Sequence, residues 1–282
     1  MFYLIDKPLG ISSFDVIRKL RKILDIKKMW HTGTLDPLAT GALLIATGNS
    51  TKLIPLLEWA RKEYVATIVL DGSTDSLDLW TPIISKSMVS YKEKSPTEIK
   101  DYILSVKTQV PPLYSALHID GERAYDLARK GKEFIIESRP VEVYEAEILR
   151  QTARSIDLRI VLSSGWYVRS FAPLIARFLG VEWGYISALR RTQIYTTYGP
   201  LNLIQASTLD TPIELSYSQI FPTIPTISIS ERELADIKNG KALLAKNVAN
   251  NEEGALVFLQ NGEYISLTRH EWDKYTIIRN NV

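Results

Sequence analysis

The sequence predicts an α+β protein with a small β-rich domain at its C-terminal end. Three observations carry that prediction. Segments rich in β-branched and aromatic residues recur along the chain, separated by stretches of helical apolar spacing opened by capping boxes. Pro212, Pro222 and Pro225 then punctuate a linker-like region, beyond which lie a further helix start and the hairpin dipeptide Asn261-Gly262. Finally, 282 residues that are 45% hydrophobic and 23% charged supply ample material for a buried core. The expected domains are residues 1–223 and 224–282, the first carrying an arm at about residues 108–140.

Phe2 to Ile5 reads as a short strand ending at the turn Asp6-Lys7-Pro8-Leu9-Gly10. Ser13 is placed to cap a helix from Phe14 to Leu24, with Phe14, Ile17, Leu20 and Leu24 on its packing side. Ala42 to Ala46 is a buried strand, and Lys62 to Leu70 alternates as a strand closed by Asp71-Gly72. Ser95-Pro96-Thr97-Glu98 is a capping box with Pro at the first helical position. Gln109 to Leu117 cannot be helical through Pro111-Pro112, and Gly121 to Gly131 holds a short helix in which Arg and aromatic residues interleave. Val141 to Leu149, Ile156 to Leu162 and Thr192 to Tyr198 read as strands; Ser170 to Leu179 reads as a helix stopped by Gly180. Ser230 opens the last helix, which Gly240 is expected to end.

Composition narrows the function. With no cysteine there are no disulfides or thiolate sites, and His31, His118 and His270 are too scattered for a local metal motif. No metal is expected. The sequence has no apolar run long enough to span a bilayer, and Met1 to Asp6 lacks the pattern of a signal peptide, so a cytoplasmic location is expected. The net charge of +2 says little, but Arg18, Lys19, Arg21, Lys22, Lys27 and Lys28 concentrate positive charge within eleven residues. Such a run is either a solvated helix face or a seat for phosphate.

That cluster leads into His31-Thr32-Gly33-Thr34-Leu35-Asp36-Pro37-Leu38-Ala39-Thr40-Gly41, a loop presenting one carboxylate ahead of a core strand. Asp before Pro also starts ordinary turns, and the residues alone leave both readings open. The run resembles the signature of the pseudouridine synthases that modify the T arm of transfer RNA. The resemblance extends in order over Asp6-Lys7-Pro8-Leu9-Gly10, Lys62-Glu63-Tyr64, Gln109 to Leu117, Gly121 to Gly131 and Ser164 to Ser170, continuing to Arg191. The two arm segments are similar to the stand-alone bacterial branch of the family.

The resemblance implies a mixed, largely antiparallel sheet with flanking helices, and a C-terminal domain akin to the PUA module. It implies isomerisation of uridine to pseudouridine at T-loop position 55, with no cofactor and no obligatory protein partner, by a monomer. Asp36 matches the catalytic carboxylate, expected to be ionised and either to attack C1′ or to take a sugar proton. Arg169 would pair with it, Tyr64, Tyr167 and Leu189 would hold the flipped base, and Lys7 would support the pocket or a phosphate. His31 would stack where the uridine leaves, while the helix cations with His118, Arg123, Arg129, Lys130 and Arg190 would contact RNA. Two departures stand out: His118 replaces the usual Lys, and the acidic loop Asp71 to Trp80 lacks its usual Gly after the second Asp. A non-catalytic protein that binds or folds transfer RNA is the rival reading, and it has no need of Asp36.

Overall fold

The computed structural model describes residues 1–57, 60–86, 94–115, 117–119, 121–202, 206–239, 241–244, 254, 256–261, 264–272 and 274–279. The first domain is built on a nine-stranded sheet. Its strands are β1 (Phe2–Lys7), β2 (Met29–His31), β3 (Ala39–Thr47), β4 (Arg61–Val69), β5 (Val143–Gln151), β6 (Ser155–Leu162), β7 (Tyr185–Thr196), β8 (Gly199–Asn202) and β9 (Glu214–Leu215). The order is β5-β6-β4-β7-β3-β1-β9, with β8 paired to β7 and β2 to β3. Among the strands named, β3 and β7 pair in parallel and the other strand pairs of this sheet are antiparallel.

Successive residues on a strand face opposite sides, and both sides of the sheet centre are covered. On one side Tyr3, Ile5, Leu43 and Ile45 pack with Ile68 and Leu158 beneath the helices α1 (Ser13–Leu24), α2 (Pro96–Ser105) and α3 (Phe171–Leu179). On the other, Phe2, Leu4, Ala42, Leu44 and Ala46 meet Phe221, Phe258, Ile265 and Leu267. This explains why β1 and β3 read as continuous apolar runs, whereas β4, with one buried face, alternates.

The C-terminal residues form a second sheet of β10 (Thr226–Ser228), β11 (Leu243–Leu244), β12 (Leu256–Asn261), β13 (Tyr264–Glu271) and β14 (Lys274–Arg279), ordered β10-β12-β13-β14-β11, with α4 (Glu231–Lys238). The expected hairpin pairs Asn261 with Tyr264, while Gly240 and Gly262 lie outside the described residues. The proline-marked segment between the sheets is anchored by the buried Ile220, Phe221 and Ile224, while Pro222 and Pro225 stay exposed. Phe221 sits edge-on to Phe2 at 5.9 Å and against Phe258 at 5.5 Å, joining the two sheets through one apolar layer.

Local readings changed in three places. Ser12, not Ser13, caps α1 through a reciprocal box with Asp15, and Phe14 is exposed while Val16, Ile17 and Leu20 form the packing stripe. The strand read as Thr192 to Tyr198 is the end of a twelve-residue strand, β7, that starts at Tyr185. The arm helix is confined to Ala124–Arg129. Among the described residues no helix is long and apolar enough to cross a membrane.

Candidate active site

The loop between β2 and β3 is held from three sides. Ser13, released from capping, donates Oγ to the Leu35 carbonyl at 3.0 Å and accepts from the Leu35 amide at 2.8 Å, tying the loop to α1. The Pro37 carbonyl accepts from the Gly10 amide at 2.9 Å and from Lys7 Nζ at 3.4 Å, and the Gly33 carbonyl accepts from Arg191 Nη2 at 3.0 Å. Leu189 and Arg191 are in parallel register with Ala39 and Gly41. Gly41 has φ +102°, and a Cβ there would collide with the Arg191 main chain, so only glycine fits.

Asp36 stands on this pinned loop at the wall of a cavity of about 280 Å³ also lined by Tyr64, Tyr167, Leu189, Lys62 and Arg191. Arg169, from the turn before α3, reaches it with a two-point approach: Nη2 donates to Oδ1 at 3.2 Å, and Nε lies 2.9 Å from Oδ2 as an ion pair. The Nε contact is close but poorly aligned as a hydrogen bond, so charge attraction carries it. Arg169 is itself 3% exposed and fixed by donation from Nη1 to the Ser76 carbonyl at 2.7 Å and from Nη2 to the Tyr114 carbonyl at 2.9 Å.

A second carboxylate completes the group. Asp78 Oδ2 lies 3.6 Å from Arg169 Nε, and its Oδ1 accepts from Ser76 Oγ at 2.6 Å and from the Trp80 amide at 3.0 Å. These bonds close the acidic loop without the missing glycine; Leu77 takes the left-handed conformation at φ +60° instead. Burial pushes the Asp36 carboxyl above the ordinary carboxylate range, Arg169 opposes the rise, and Asp78 adds to it. The result is a carboxylate more basic than one in water, oriented by a guanidinium.

Tyr64 and Leu189 project from neighbouring strands β4 and β7 onto the same side as the cavity, and both are buried. Tyr167 is set at the rim: its amide donates to Gln109 Oε1 at 3.0 Å, and the Arg139 guanidinium lies over its ring at 5.0 Å. Gln109 and Arg139 come from the two ends of the arm, whose short strands pair there.

Other expected residues fall elsewhere. Lys7 is fully buried behind the loop, donating to the carbonyls of Pro8 at 2.9 Å and Ile11 at 2.6 Å. Burial lowers it to about 8, and its ammonium is turned to main-chain carbonyls behind the loop. Arg190 holds Asp6 in a fork, Nη1 to Oδ1 at 3.1 Å and Nη2 to Oδ2 at 2.8 Å, and its side chain stays 40% exposed. His31 lies beside the cavity, stacked on Trp30 at 5.6 Å and 17°, and burial followed by the Arg191 charge pushes it down to about 4, so the ring is neutral.

Arg18, Lys19, Lys22, Lys27 and Lys28 are exposed, whereas Arg21 is half-buried over Phe14. On the arm, His118, Arg123, Arg129 and Lys130 are exposed; Arg123 and Arg129 flank Tyr125, and Lys130 pairs with Glu122. Asp78, Trp30, Lys62, Arg139 and Arg191 were not singled out as site residues by sequence. Asp78 alone had a usable signal, the second acid of a Thr-Asp loop. Among the described residues no cluster of three or more His, Asp or Glu side chains is placed to hold a metal ion.

Residues 21–168 match the family described as TruB family pseudouridylate synthase (N terminal domain). A protein named tRNA pseudouridine synthase B from Syntrophomonas wolfei is 36% identical over 256 residues, covering 86% of this chain and 84% of its own. One of the same name from Thermus thermophilus is 33% identical over 279 residues, covering 86% and 87%. Among solved structures, an H/ACA RNP bound to a substrate RNA containing 2′-deoxyuridine superposes with TM-score 0.63 at 19% identity, covering 100% of this chain and 84% of that one, a likeness of fold. With the family model matching more than half of the chain and relatives of 33–36% identity matching most of it, the chain belongs to the TruB family of pseudouridylate synthases.

Proposed function

We propose that this protein isomerises uridine to pseudouridine at position 55 in the T loop of transfer RNA, acting in the cytoplasm as a monomer without cofactor or obligatory protein partner. The observation that carries the reading is the two-point Asp36–Arg169 pair on the wall of a cavity floored by Tyr64. It is supported by relatives named tRNA pseudouridine synthase B that match along most of the chain.

The target base lies in a stacked loop and must be turned out, at an expense of a few kcal/mol. In this reading the uracil enters between Tyr64 and Tyr167 with Leu189 against its edge, and the Trp30–His31 stack fills the gap, each stacked base contributing roughly 1–3 kcal/mol. A neutral His31 suits stacking. Asp36 acts at the ribose with an ionised oxygen, whether by bonding C1′ or by taking a sugar proton. The C1′–N1 bond breaks, the ring turns, C5 bonds C1′, and the proton from C5 is exchanged for one on N1, so the product is an isomer. Arg169 orients the carboxylate, Asp78 and Lys7 position what surrounds it, and the arm and α1 cations grip the RNA.

Incubating T-arm RNA with wild-type protein and with Asp36→Asn, followed by pseudouridine mapping, tests the proposal. Product from the wild type only, with RNA still bound by the variant, is expected. No product from the wild type would overturn the enzyme reading in favour of a binding or folding protein.

A further inference from the structure

Lys62 and Arg191 are two buried cations on the cavity wall that the reaction so far does not use. Lys62 is 7% exposed and Arg191 1%. Neither forms an ion pair among the described residues. Lys62 donates one proton to the Ala60 carbonyl at 2.9 Å, which leaves two of its three N–H groups uncommitted. Arg191 donates Nε to the Ala42 carbonyl at 2.6 Å and Nη2 to the Gly33 carbonyl at 3.0 Å, while its Nη1 is buried without a partner. The two converge under Gly33, where a Cβ would lie 3.2 Å from Lys62 Cε and 3.5 Å from Arg191 Nη1. Burial and Arg191 lower Lys62 to about 8, so it remains a cation at neutral pH.

Buried like charges without counter-ions are unfavourable unless an anion arrives. The position says which. Alternation places Lys62 on the same side of β4 as Tyr64, and Arg191 on the same side of β7 as Leu189, so both cations border the floor on which the base would rest. Asp36 and Asp78 are already balanced by Arg169 between them and by Lys7 behind the loop, which leaves Lys62 and Arg191 without a carboxylate of their own.

We propose that Lys62 and the free Nη1 of Arg191 form an anion site that stabilises the uracil as it leaves the ribose. When C1′–N1 breaks, the bonding pair stays on the ring, making a uracil monoanion whose charge is shared by N1, O2, O4 and C5. C5 then uses that charge to bond C1′, so the site must hold the anion without neutralising it by full proton transfer. Preorganised donors aimed at developing charge are among the strongest catalytic devices, and removal of one typically costs about 100- to 1000-fold in rate.

The inference rests on the isomerase reading, and wild-type turnover in the same assay tests that reading separately. Single-turnover cleavage of the glycosidic bond is measured on T-arm RNA carrying uridine or 5-fluorouridine at the target, since fluorine stabilises the departing anion. Lys62→Met is expected to slow the uridine reaction about 100-fold, to leave RNA affinity within about threefold, and to slow the 5-fluoro reaction at least fivefold less. Lys62→Arg should recover most of the loss. Equal slowing on both substrates, or weakened RNA binding with an unchanged saturating rate, overturns the proposal; the second result would mark a phosphate contact. If Lys62→Met does not melt cooperatively, Lys62→Arg decides alone: its ratio of 5-fluoro to uridine rates must match the wild type's.

Discussion

Replacing Arg169 by Lys keeps the charge and removes the fork. The guanidinium spreads its donors over Asp36 Oδ1 at 3.2 Å, Asp36 Oδ2 at 2.9 Å, the Ser76 carbonyl at 2.7 Å and the Tyr114 carbonyl at 2.9 Å. An ammonium presents its three donors from one point, so it cannot span these partners. Losing a partner at each of two buried carbonyls costs about 1–3 kcal/mol apiece. Asp36 retains 32% side-chain exposure, so solvent offsets part of the lost ion pair and little is added on its account. A total of about 2–6 kcal/mol lowers the melting temperature by on the order of 5–10 °C. The carboxylate, no longer clamped, drifts, and a misplacement near 1 Å costs about 100-fold in rate. Differential scanning fluorimetry and single-turnover pseudouridine formation, with RNA affinity measured alongside, read both effects. A variant with more than a third of the wild-type rate and an unchanged melting temperature would refute the view that the fork, rather than the charge, is what Asp36 requires.

Asp78→Asn removes a negative charge that raises Asp36, so the Asp36 pKa falls. Activity needs the ionised carboxylate and is lost as pH drops through that pKa; the acid limb of kcat/KM therefore moves to lower pH in the variant, and a limb that stays in place or rises contradicts the assignment. Gly41→Ala combines a left-handed φ with a clash against the Arg191 main chain, and the strain alone costs about 1–3 kcal/mol, so urea denaturation should show a lower midpoint and little soluble activity. Trp30 is 54% exposed and stacked on His31. Trp30→Ala should weaken T-arm RNA binding about fivefold or more by filter binding, with the saturating rate within twofold; unaltered affinity would remove it from the interface.

Much of the fold was legible because local chemistry and burial agree. Ser95 to Glu98 opens α2 as a reciprocal capping box, and the alternation of Lys62 to Leu70 becomes β4 with one buried face. Where reading failed, tertiary contact outweighed a local rule. Ser13 looks like a helix cap, yet Leu35, twenty-two positions away, takes its hydroxyl and leaves the cap to Ser12. The prolines around Phe221 suggest an open linker, but the aromatic residue between them is buried against Phe2 and Phe258. At the site, Asp36 announced itself through its loop. Asp78 showed only as the second acid of a Thr-Asp loop; its contact with Arg169, 91 positions later in the chain, is a distance no periodicity records.

The dipeptide Arg190-Arg191 shows how register converts one sequence feature into two roles. Read as sequence it is a pair of equivalent cations, and nothing in composition separates them. On β7, however, neighbours point to opposite faces. Arg190 turns to Asp6 on β1 and to Thr40 Oγ1 at 3.1 Å, bridging three strands on one side of the sheet. Arg191 turns to the other side, where it holds Gly33 and Ala42 and borders the cavity with Leu189. A slip of one residue would exchange them, sending Leu189 and Arg191 away from the site and presenting Arg190 to it. The Asp6 clamp and the glycine-only contact at Gly41 both resist that slip. The Arg190 clamp therefore fixes which face of β7 carries Leu189 and Arg191 to the cavity.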